Sequence, residues 1–358
     1  MGGEKSMYKI NYRPRDPKRY HPGIGIIGCG GIVFSHIAAY EKAKYRVVAL
    51  ADINKKNLKE KANLVPGVKT FTNYRDLLSL PEVEVVDCAT HPEPRVRIMK
   101  DSIEAGKHVL SQKPFVIDLK IGQELVKIAK KKKVLLAVNQ NGRWNPPWNY
   151  TYQAIKGGII GEIMSVHMRC HWDHNGIVGR EFNKIRHIIL YDYGIHWFDI
   201  LSCWMDKKPK KVFASFSKAP NQKANPPLLA QAVIEYNNAQ ASLVFDGSQR
   251  IGGQDSFFIG GTKGSIVCSG KSDLSHYTLE IRTEEGTYRP DLKSSWFPDG
   301  FHGTMGELLR AIEENRKPWN DAEDNLRSLQ LCFSACSSAD KEEPVNPESI
   351  TKIEKIKL

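Results

Sequence analysis

The sequence lacks an apolar run long enough to cross a lipid bilayer. Its longest mainly apolar stretch, residues 23–34, has 12 residues and is rich in glycine, whereas a membrane-spanning helix needs about 20. The N-terminal residues include Lys and Arg but no apolar segment follows them, so we expect no secretory signal. The seven cysteines form no CxxC pair and no regular framework. This pattern predicts reduced thiols in the cytoplasm rather than a disulfide scaffold.

Nucleic-acid-binding motifs are also missing, although 52 Lys and Arg outnumber 40 Asp and Glu and give a net charge of +12. The basic residues are scattered and do not interleave with aromatic residues. The one dense run, residues 130–133, follows an amphipathic stretch, where the helix dipole favours Lys at the C-terminal end. We therefore expect the positive charge to attract an anionic cofactor or substrate, and no nucleic acid or membrane partner.

A chain of 358 residues is long enough for two domains. In the first part, short apolar segments typical of buried strands alternate with helical segments. This order predicts an α/β fold with a doubly wound parallel sheet. The expected strands are 24–27, 47–51, 85–89, 108–111 and 134–138, and the expected helices are 32–42, 55–63, 74–78, 95–105 and 119–131.

After residue 139 the pattern changes to longer strands with hairpin-like turns, at 164–172, 211–217, 229–236 and 241–246. A further stretch at 256–269 and two late helices at 302–315 and 321–339 complete this half, which predicts a mostly antiparallel sheet with helices on one side. We therefore expect an N-terminal arm, a Rossmann domain and a C-terminal α+β domain for substrate binding and oligomerisation, with the bounds 1–21, 22–140 and 141–358.

A glycine-rich turn joins the first predicted strand to the first predicted helix. Gly28 permits a tight turn and Gly30 lets a pyrophosphate approach the backbone, while the helix N-terminus supplies amide donors. Asp52 ends the next predicted strand, where a carboxylate binds ribose hydroxyls and repels a 2′-phosphate. This favours NAD over NADP, although Lys55 and Lys56 lie close to Asp52 in the sequence. The expected cofactor-binding residues here are Gly28, Cys29, Gly30, Gly31, Ile32 and Asp52.

Two further segments carry candidate catalytic residues. Lys113 follows an apolar strand and precedes a proline, and ligands bind at the carboxyl ends of parallel strands. Asp192 and His196 are four residues apart, which predicts that they share one face of a helix. A carboxylate beside an imidazole is a common way to orient a general base, but a structural histidine remains an equal alternative on this pattern alone.

In combination these motifs resemble the glucose–fructose oxidoreductase / inositol dehydrogenase / MocA family over nearly the whole chain. The matching segments include the glycine turn with His36, Asp52, the 88–90 and 105–110 segments, Lys113-Pro114, and the motif from Asp192 to Asp199. The family usually has Glu-Lys-Pro where this chain has Gln112-Lys113-Pro114, and often Thr-Pro-Asn where it has Thr90-His91-Pro92. The resemblance implies that Thr90, His91 and Lys113 lie beside the coenzyme.

The resemblance also implies a mechanism. His196 takes the proton of a substrate hydroxyl while the carbon-bound hydrogen leaves as hydride to nicotinamide, and Lys113 stabilises the charge on oxygen. Asp192 orients His196 or binds a neighbouring hydroxyl. The expected activity is an NAD-dependent dehydrogenase of a sugar, glycoside or cyclic polyol, with a C3 hydroxyl favoured. Two alternatives stay open: a glycosidase of the same fold that keeps NAD bound and acts by oxidation and elimination, and a non-enzymatic NAD-binding regulator.

Residues of the second half are candidates for substrate binding, because flat aromatics stack on sugar rings and polar side chains bind hydroxyls. For the tryptophans a core position is an equal alternative. In an extended strand His171 and Asp173 would share a face and His174 would not, so no metal site is expected. Relatives associate through the C-terminal sheet, which implies a homodimer or homotetramer. Val233, Leu243 and Phe245 are candidate contacts, and a core position is the alternative for each of them. The substrate candidates are Trp144, Trp148, His171, Asp173, His174 and Asn175.

Overall fold

The computed structural model describes residues 8–271, 276–354 and 356–358, and these residues divide into two compact units. The first unit comprises residues 13–144 and 296–326. The second comprises the remaining described residues. Within the described ranges, no helix has both the length and the apolar composition that a bilayer span requires.

The first unit contains a parallel sheet with the strand order β3-β2-β1-β4-β5-β6. The predicted doubly wound sheet is therefore confirmed. Its central strands are buried on both faces, as their apolar sequences require. The strands are β1 (Gly23–Ile27), β2 (Arg46–Ala51), β3 (Lys69–Phe71), β4 (Val83–Cys88), β5 (His108–Ser111) and β6 (Leu136–Val138).

Helices connect these strands and bury their apolar faces. The helix after β5 illustrates the local signals: Asp118 accepts a hydrogen bond from the backbone N–H of Lys120 at its start, and three lysines occupy its last turn. An acceptor at the N-terminus and cations at the C-terminus both stabilise a helix. The helices are α1 (Val33–Lys42), α2 (Lys55–Ala62), α3 (Tyr74–Leu78), α4 (Pro92–Glu104) and α5 (Leu119–Lys132).

The second unit contains an eight-stranded sheet in the order β14-β13-β12-β11-β7-β10-β9-β8. Only the β7–β10 pair is parallel among these pairings, so the predicted mostly antiparallel sheet is confirmed. The strands are β7 (Ile163–His171), β8 (Pro209–Ser217), β9 (Leu229–Tyr236), β10 (Ala239–Asp246), β11 (Gln254–Gly261), β12 (Gly264–Lys271), β13 (Tyr277–Thr283) and β14 (Gly286–Tyr288). The helices that follow β6 are α6 (Pro146–Lys156), α7 (Ile195–Met205), α8 (Asp299–Glu313) and α9 (Ala322–Lys341).

The division of the chain differs from the expected contiguous domains. The break at 144 is close to the predicted 140, but residues 296–326 belong to the first unit rather than to the second. The physical reason is packing, because Phe301, Met305 and Leu308 of α8 share a core with the buried residues of α1. The expected arm is also divided. Residues 8–12 belong to the second unit and 13–21 to the first, and its first seven residues lie outside the described residues.

Candidate active site

The glycine turn after β1 leaves open space beside its backbone. Gly28 has a φ of +95°, and a Cβ there would lie 2.9 Å from the carbonyl carbon of Ala89, so this position favours glycine. A Cβ on Gly30 or Gly31 would meet nothing within 4 Å. The turn leads directly into α1, and the positive end of the helix dipole lies at this N-terminus. The residues therefore fit a pyrophosphate at the helix N-terminus.

Asp52 connects this turn to the segment after β2. Its Oδ2 accepts a hydrogen bond from the Cys29 backbone N–H at 2.5 Å, and its Oδ1 accepts one from the Asn54 N–H at 2.7 Å. Each carboxylate oxygen keeps a lone pair for a ribose hydroxyl. Burial, followed by the charge of Asp52, raises the pKa of the Cys29 thiol to about 12, so this cysteine stays protonated at neutral pH.

A cavity of about 380 Å³ lies beside Asp52 in the first unit. One wall is apolar and includes the exposed Ile53. Arg75 also lines the cavity, but its guanidinium lies 2.7 Å from the Asp101 carboxylate. The cavity suits an adenosine group, with Thr90 among its lining residues: Ile27, Gly28, Ala51, Asp52, Ile53, Thr72, Tyr74, Arg75, Thr90, Glu93, Pro94, Arg97 and Ile98.

Lys113 lies two residues beyond β5 in a segment that a buried arginine holds. Arg95 of α4 donates from Nη1 to the carbonyl oxygen of Gln112 at 2.8 Å and also to that of Pro114. Its Nε donates to the carbonyl of Thr90 at 3.1 Å. One side chain thus fixes both the Lys113 segment and the end of β4. Sequence reasoning missed Arg95, although an arginine on a helix face otherwise occupied by Ile98 is the signal that could have revealed it.

Asp192 and His196 belong to the second unit, and the expectation that one α-helix carries both is wrong. Residues 188–193 form a π-helical turn, and α7 begins only at Ile195. The Gly194 N–H donates to the Ile189 carbonyl at 2.7 Å, five residues back, which widens the turn. Such π-helical turns frequently occur at functional sites. Asp192 is half-buried and His196 is buried.

Trp144 and Trp148 are core residues. Trp144 is buried in the first unit with its ring 5.1 Å from that of Trp319. Trp148 is buried in the second unit, edge-on to Trp197 at 5.2 Å. These positions favour the core interpretation over ring stacking on a substrate, because apolar burial is the strongest force acting on a large side chain.

The expected polar residues after β7 have separate roles. Asp173 Oδ1 accepts hydrogen bonds from the backbone and side chain of Asn175, whose own oxygen accepts the Lys223 N–H at 2.8 Å. Both residues therefore tie loops together. His171 Nδ1 accepts the Gln254 N–H at 3.3 Å, and burial lowers the His171 pKa. His174 lies edge-on to the Tyr193 ring at 4.3 Å.

Trp172 is the aromatic residue of this run that the sequence analysis did not select. It is 39% exposed, and its ring lies 6.3 Å from His174 and 6.0 Å from Tyr193, the residue after Asp192. Alternation along β7 could have revealed this residue. Trp172 is two positions after the buried Cys170 and so belongs to the same face of the sheet, but it lies just beyond the last strand residue, His171.

Within the part of the chain that the structure describes, no group of three His, Cys, Asp or Glu side chains could hold a metal ion.

Two family models match the sequence across both units. Residues 23–140 match an oxidoreductase family with an NAD-binding Rossmann fold, and residues 148–267 match the GFO/IDH/MocA C-terminal domain. The chain belongs to the GFO/IDH/MocA family. Its Rossmann domain is accordingly an NAD-binding domain, which agrees with the open glycine turn and the position of Asp52.

Family members with characterised ligands are similar over most of the chain. Myo-inositol 2-dehydrogenase of Thermotoga maritima is 22% identical, and the match covers 91% of this chain and 99% of that protein. An Agrobacterium radiobacter oxidoreductase in complex with NAD⁺, L-tartaric acid and magnesium has a TM-score of 0.82 at 18% identity, covering 92% and 99% of the two chains. Levoglucosan dehydrogenase in complex with NADH and levoglucosan has a TM-score of 0.78 at 20% identity, covering 91% and 99%. At these identities the structural likeness establishes the GFO/IDH/MocA fold.

Proposed function

We propose that this protein is an NAD-dependent dehydrogenase that oxidises a secondary ring hydroxyl of a sugar, glycoside or cyclic polyol. The observation that carries the proposal is Lys113, a half-buried ammonium at the carboxyl end of β5 in an NAD-binding domain. Arg95 donates hydrogen bonds to the carbonyl oxygens of Gln112 and Pro114, the residues on either side of Lys113. A fixed cation at this edge of the sheet suits the stabilisation of a developing alkoxide.

The proposed chemistry divides between three side chains. His196 takes the proton from the reacting hydroxyl as a general base. Lys113 donates a hydrogen bond to the same oxygen and stabilises its negative charge. Asp192 orients the His196 ring or binds a neighbouring hydroxyl. Bound NAD supplies the hydride acceptor, and the protein supplies position and electrostatics.

The substrate class rests on the polar and aromatic residues after β7 and on the activities of relatives. Trp172 offers an exposed ring face, and the His174 ring lies 6.3 Å from it. A polar lining suits a molecule with several hydroxyls, because a buried polar group without a partner costs about 1–3 kcal/mol. The relatives named for myo-inositol and levoglucosan act on such molecules. The C3 hydroxyl remains our proposed position of oxidation.

A substrate panel tests this function. The purified protein would be assayed for NADH formation with myo-inositol, levoglucosan, free aldoses and aryl glycosides, and the 3-deoxy analogue of any substrate would locate the reacting carbon. Turnover of a cyclic polyol, sugar or glycoside is expected. Activity on simple 2-hydroxy acids with none on these compounds would overturn the class, and turnover of the 3-deoxy analogue would overturn C3 alone. Release of aglycone without net NADH would identify the glycosidase alternative, and no turnover of any compound would favour the regulator.

We predict that the protein binds NAD more tightly than NADP and that Asp52→Asn narrows the preference at least tenfold. The substitution removes the negative charge but keeps an oxygen for the Cys29 N–H. Repulsion between a carboxylate and a 2′-phosphate is worth about 1–4 kcal/mol at close range, and a factor of ten corresponds to about 1.4 kcal/mol. Fluorescence titration with NADH and NADPH measures both affinities. Tighter NADPH binding by the unaltered protein would contradict the assignment.

The outer face of the second unit's sheet carries exposed apolar side chains. Phe213, Val233 and Phe258 are 42%, 54% and 40% exposed and share one row of the sheet, in which Ser242 of β10 and His167 of β7 lie between Val233 and Phe258. Leu243 and Phe245, for which a core position was the alternative to a contact, are buried on the inner face, because alternate strand residues point to opposite sides. The exposed row supports our proposal of a homodimer or homotetramer through this sheet.

We predict that Phe258→Asp converts the oligomer to a monomer, since a buried unpaired carboxylate opposes association. Light scattering at micromolar concentration measures the mass. Phe34→Asp, which changes another exposed phenylalanine on α1, serves as the control and should leave the mass unchanged. A monomeric unaltered protein would refute the prediction.

All seven cysteines are free thiols, which is compatible with the proposed cytoplasmic location.

A further inference from the structure

The first unit contains a fully buried cluster of ionisable side chains that the proposed chemistry does not use. His36 of α1 and Asp87 of β4 are both 0% exposed, and His36 Nδ1 lies 2.6 Å from Asp87 Oδ2. The Tyr40 hydroxyl donates to the same carboxylate oxygen at 2.6 Å. Burying ionisable groups is costly unless they are paired and hydrogen-bonded. The cluster therefore needs an explanation beyond the packing of α1.

The cluster is connected to Lys113 through the side chain of Gln112. Gln112 Oε1 accepts the backbone N–H of Lys113 at 2.7 Å, and Gln112 Nε2 lies 3.3 Å from His36 Nε2. A backbone N–H can only donate, so the amide oxygen must face Lys113 and the amide nitrogen must face His36. The orientation of the Gln112 amide is thus fixed by chemistry.

This orientation determines the proton on His36. The Gln112 amide nitrogen can only donate, so His36 Nε2 must accept and carry no proton. The ring proton then lies on Nδ1, which donates it to Asp87. The Asn139 side-chain nitrogen, 3.4 Å from the same Nε2, is a second donor to it. The hydrogen-bond partners of the two ring nitrogens are therefore matched to one neutral tautomer of His36.

We propose that His36 is a positioning residue for Lys113: held as the neutral Nδ1–H tautomer by Asp87, it orients the Gln112 amide that fixes the Lys113 backbone. The role of Lys113 rests on the proposed function, whereas the tautomer rests on the hydrogen bonds alone. Arg95 holds the carbonyl groups of this segment, and Gln112 holds its N–H. Together the two side chains bind the Lys113 N–H and the carbonyl groups of Gln112 and Pro114, and so fix the backbone around the lysine.

Replacing Gln112 with glutamate would have a consequence for His36. An ionised glutamate would also accept the Lys113 N–H, but its second oxygen would face His36 Nε2 and could only accept. The ring would then need a proton on both nitrogens. The cluster keeps a net charge of −1 in both cases, because the added carboxylate and the added proton cancel. We therefore expect Gln112→Glu to fold and to convert His36 from one ring proton to two.

Nitrogen NMR of the full-length protein labelled with ¹⁵N-histidine tests the tautomer at neutral pH. The His36 signals are those absent from His36→Gln, or, if that variant does not fold, those that move in Gln112→Glu. We expect one protonated ring nitrogen, Nδ1, in the unaltered protein and two in Gln112→Glu. A protonated Nε2 in the unaltered protein would overturn the inference.

Kinetics with myo-inositol and levoglucosan, at varied and at saturating NAD, test the positioning role. Gln112→Ala and His36→Gln should lower kcat about 10- to 100-fold, as small misplacements of a catalytic group do, with the KM for NAD changed less than about twofold. Gln112→Glu, which keeps the acceptor for Lys113, should retain most of kcat. Tyr40→Phe is the matched control, since it perturbs Asp87 without touching Gln112, and it should lower thermal stability but not kcat.

The outcomes separate this inference from the proposed function. An equal loss of kcat in Tyr40→Phe and Gln112→Ala would show a merely structural cluster and overturn the positioning role. An inactive Lys113→Ala beside a fully active Gln112→Ala would also overturn it while leaving the proposed function intact. A fully active Lys113→Ala, or no turnover of any compound in the substrate panel, would count against the proposed function, and the NMR result would then decide the tautomer alone.

Discussion

Lys113→Ala and His196→Ala are each expected to lower kcat by about 100- to 10,000-fold, the range that a positioned acid, base or charge contributes. NAD binding should change little in either variant, and the melting temperature should change little in Lys113→Ala, which leaves the hydrogen bonds from Arg95 to the backbone intact. The measurement is initial-rate kinetics on the substrate that the panel identifies, with NADH titration as the binding control.

Lys120→Ala provides a matched control for the lysine. Lys120 is an exposed residue of α5, seven positions further along the chain, and its loss should leave kcat unchanged. If either catalytic variant keeps near-normal kcat on the true substrate, the role assigned to that residue is wrong. A variant that loses NADH binding as well would instead indicate a defect in the coenzyme site.

Arg95→Met is expected to lower the free energy of unfolding by at least about 3 kcal/mol. The substitution keeps the length and apolar stem of the side chain but leaves the carbonyl groups of Thr90, Gln112 and Pro114 without this donor, at a cost of about 1–3 kcal/mol each. For units of this size the melting temperature should fall by roughly 10 °C. The activity should fall as well, because the segment that carries Lys113 loses its fixed geometry.

Arg97→Met is the control for this prediction. Arg97 is an exposed residue on the same helix, and exposed substitutions usually change stability by less than about 0.5 kcal/mol. Differential scanning calorimetry of the two variants makes the comparison. Equal melting temperatures for Arg95→Met and Arg97→Met would show that the carbonyl contacts of Arg95 contribute little to stability.

The parallel sheet could be predicted from the sequence because its central strands are short, apolar and buried on both faces. Strand β5 has the predicted bounds, His108–Ser111. Strand β3, with only three residues and an exposed pattern, was missed because it has no apolar run. Among strands of the second unit, β13 and β14 were missed for a related reason: they lie at the end of the sheet order, where exposed residues interrupt the apolar alternation.

The candidate site was predictable where the chemistry is local. The glycine turn and Asp52 depend on residues close to a strand end, and the structure joins them through the Cys29 N–H. The π-helical turn before His196 was not predictable, because the spacing of Asp192 and His196 is equally compatible with an α-helix. Arg95 and His36 act on backbone and side-chain groups distant in sequence, so only the folded chain reveals what they bind.

The position of residues 296–326 in the first unit limits which recombination events can transfer that unit between this protein and its relatives. A single recombination point near residue 144 would transfer the whole parallel sheet but not Phe301, Met305 and Leu308, which share the core of α1. The transferred α1 would then pack against the α8 of the recipient chain. Inheritance of the NAD-binding unit in one piece therefore requires two crossovers, and the residues of α1 and α8 must change together during evolution.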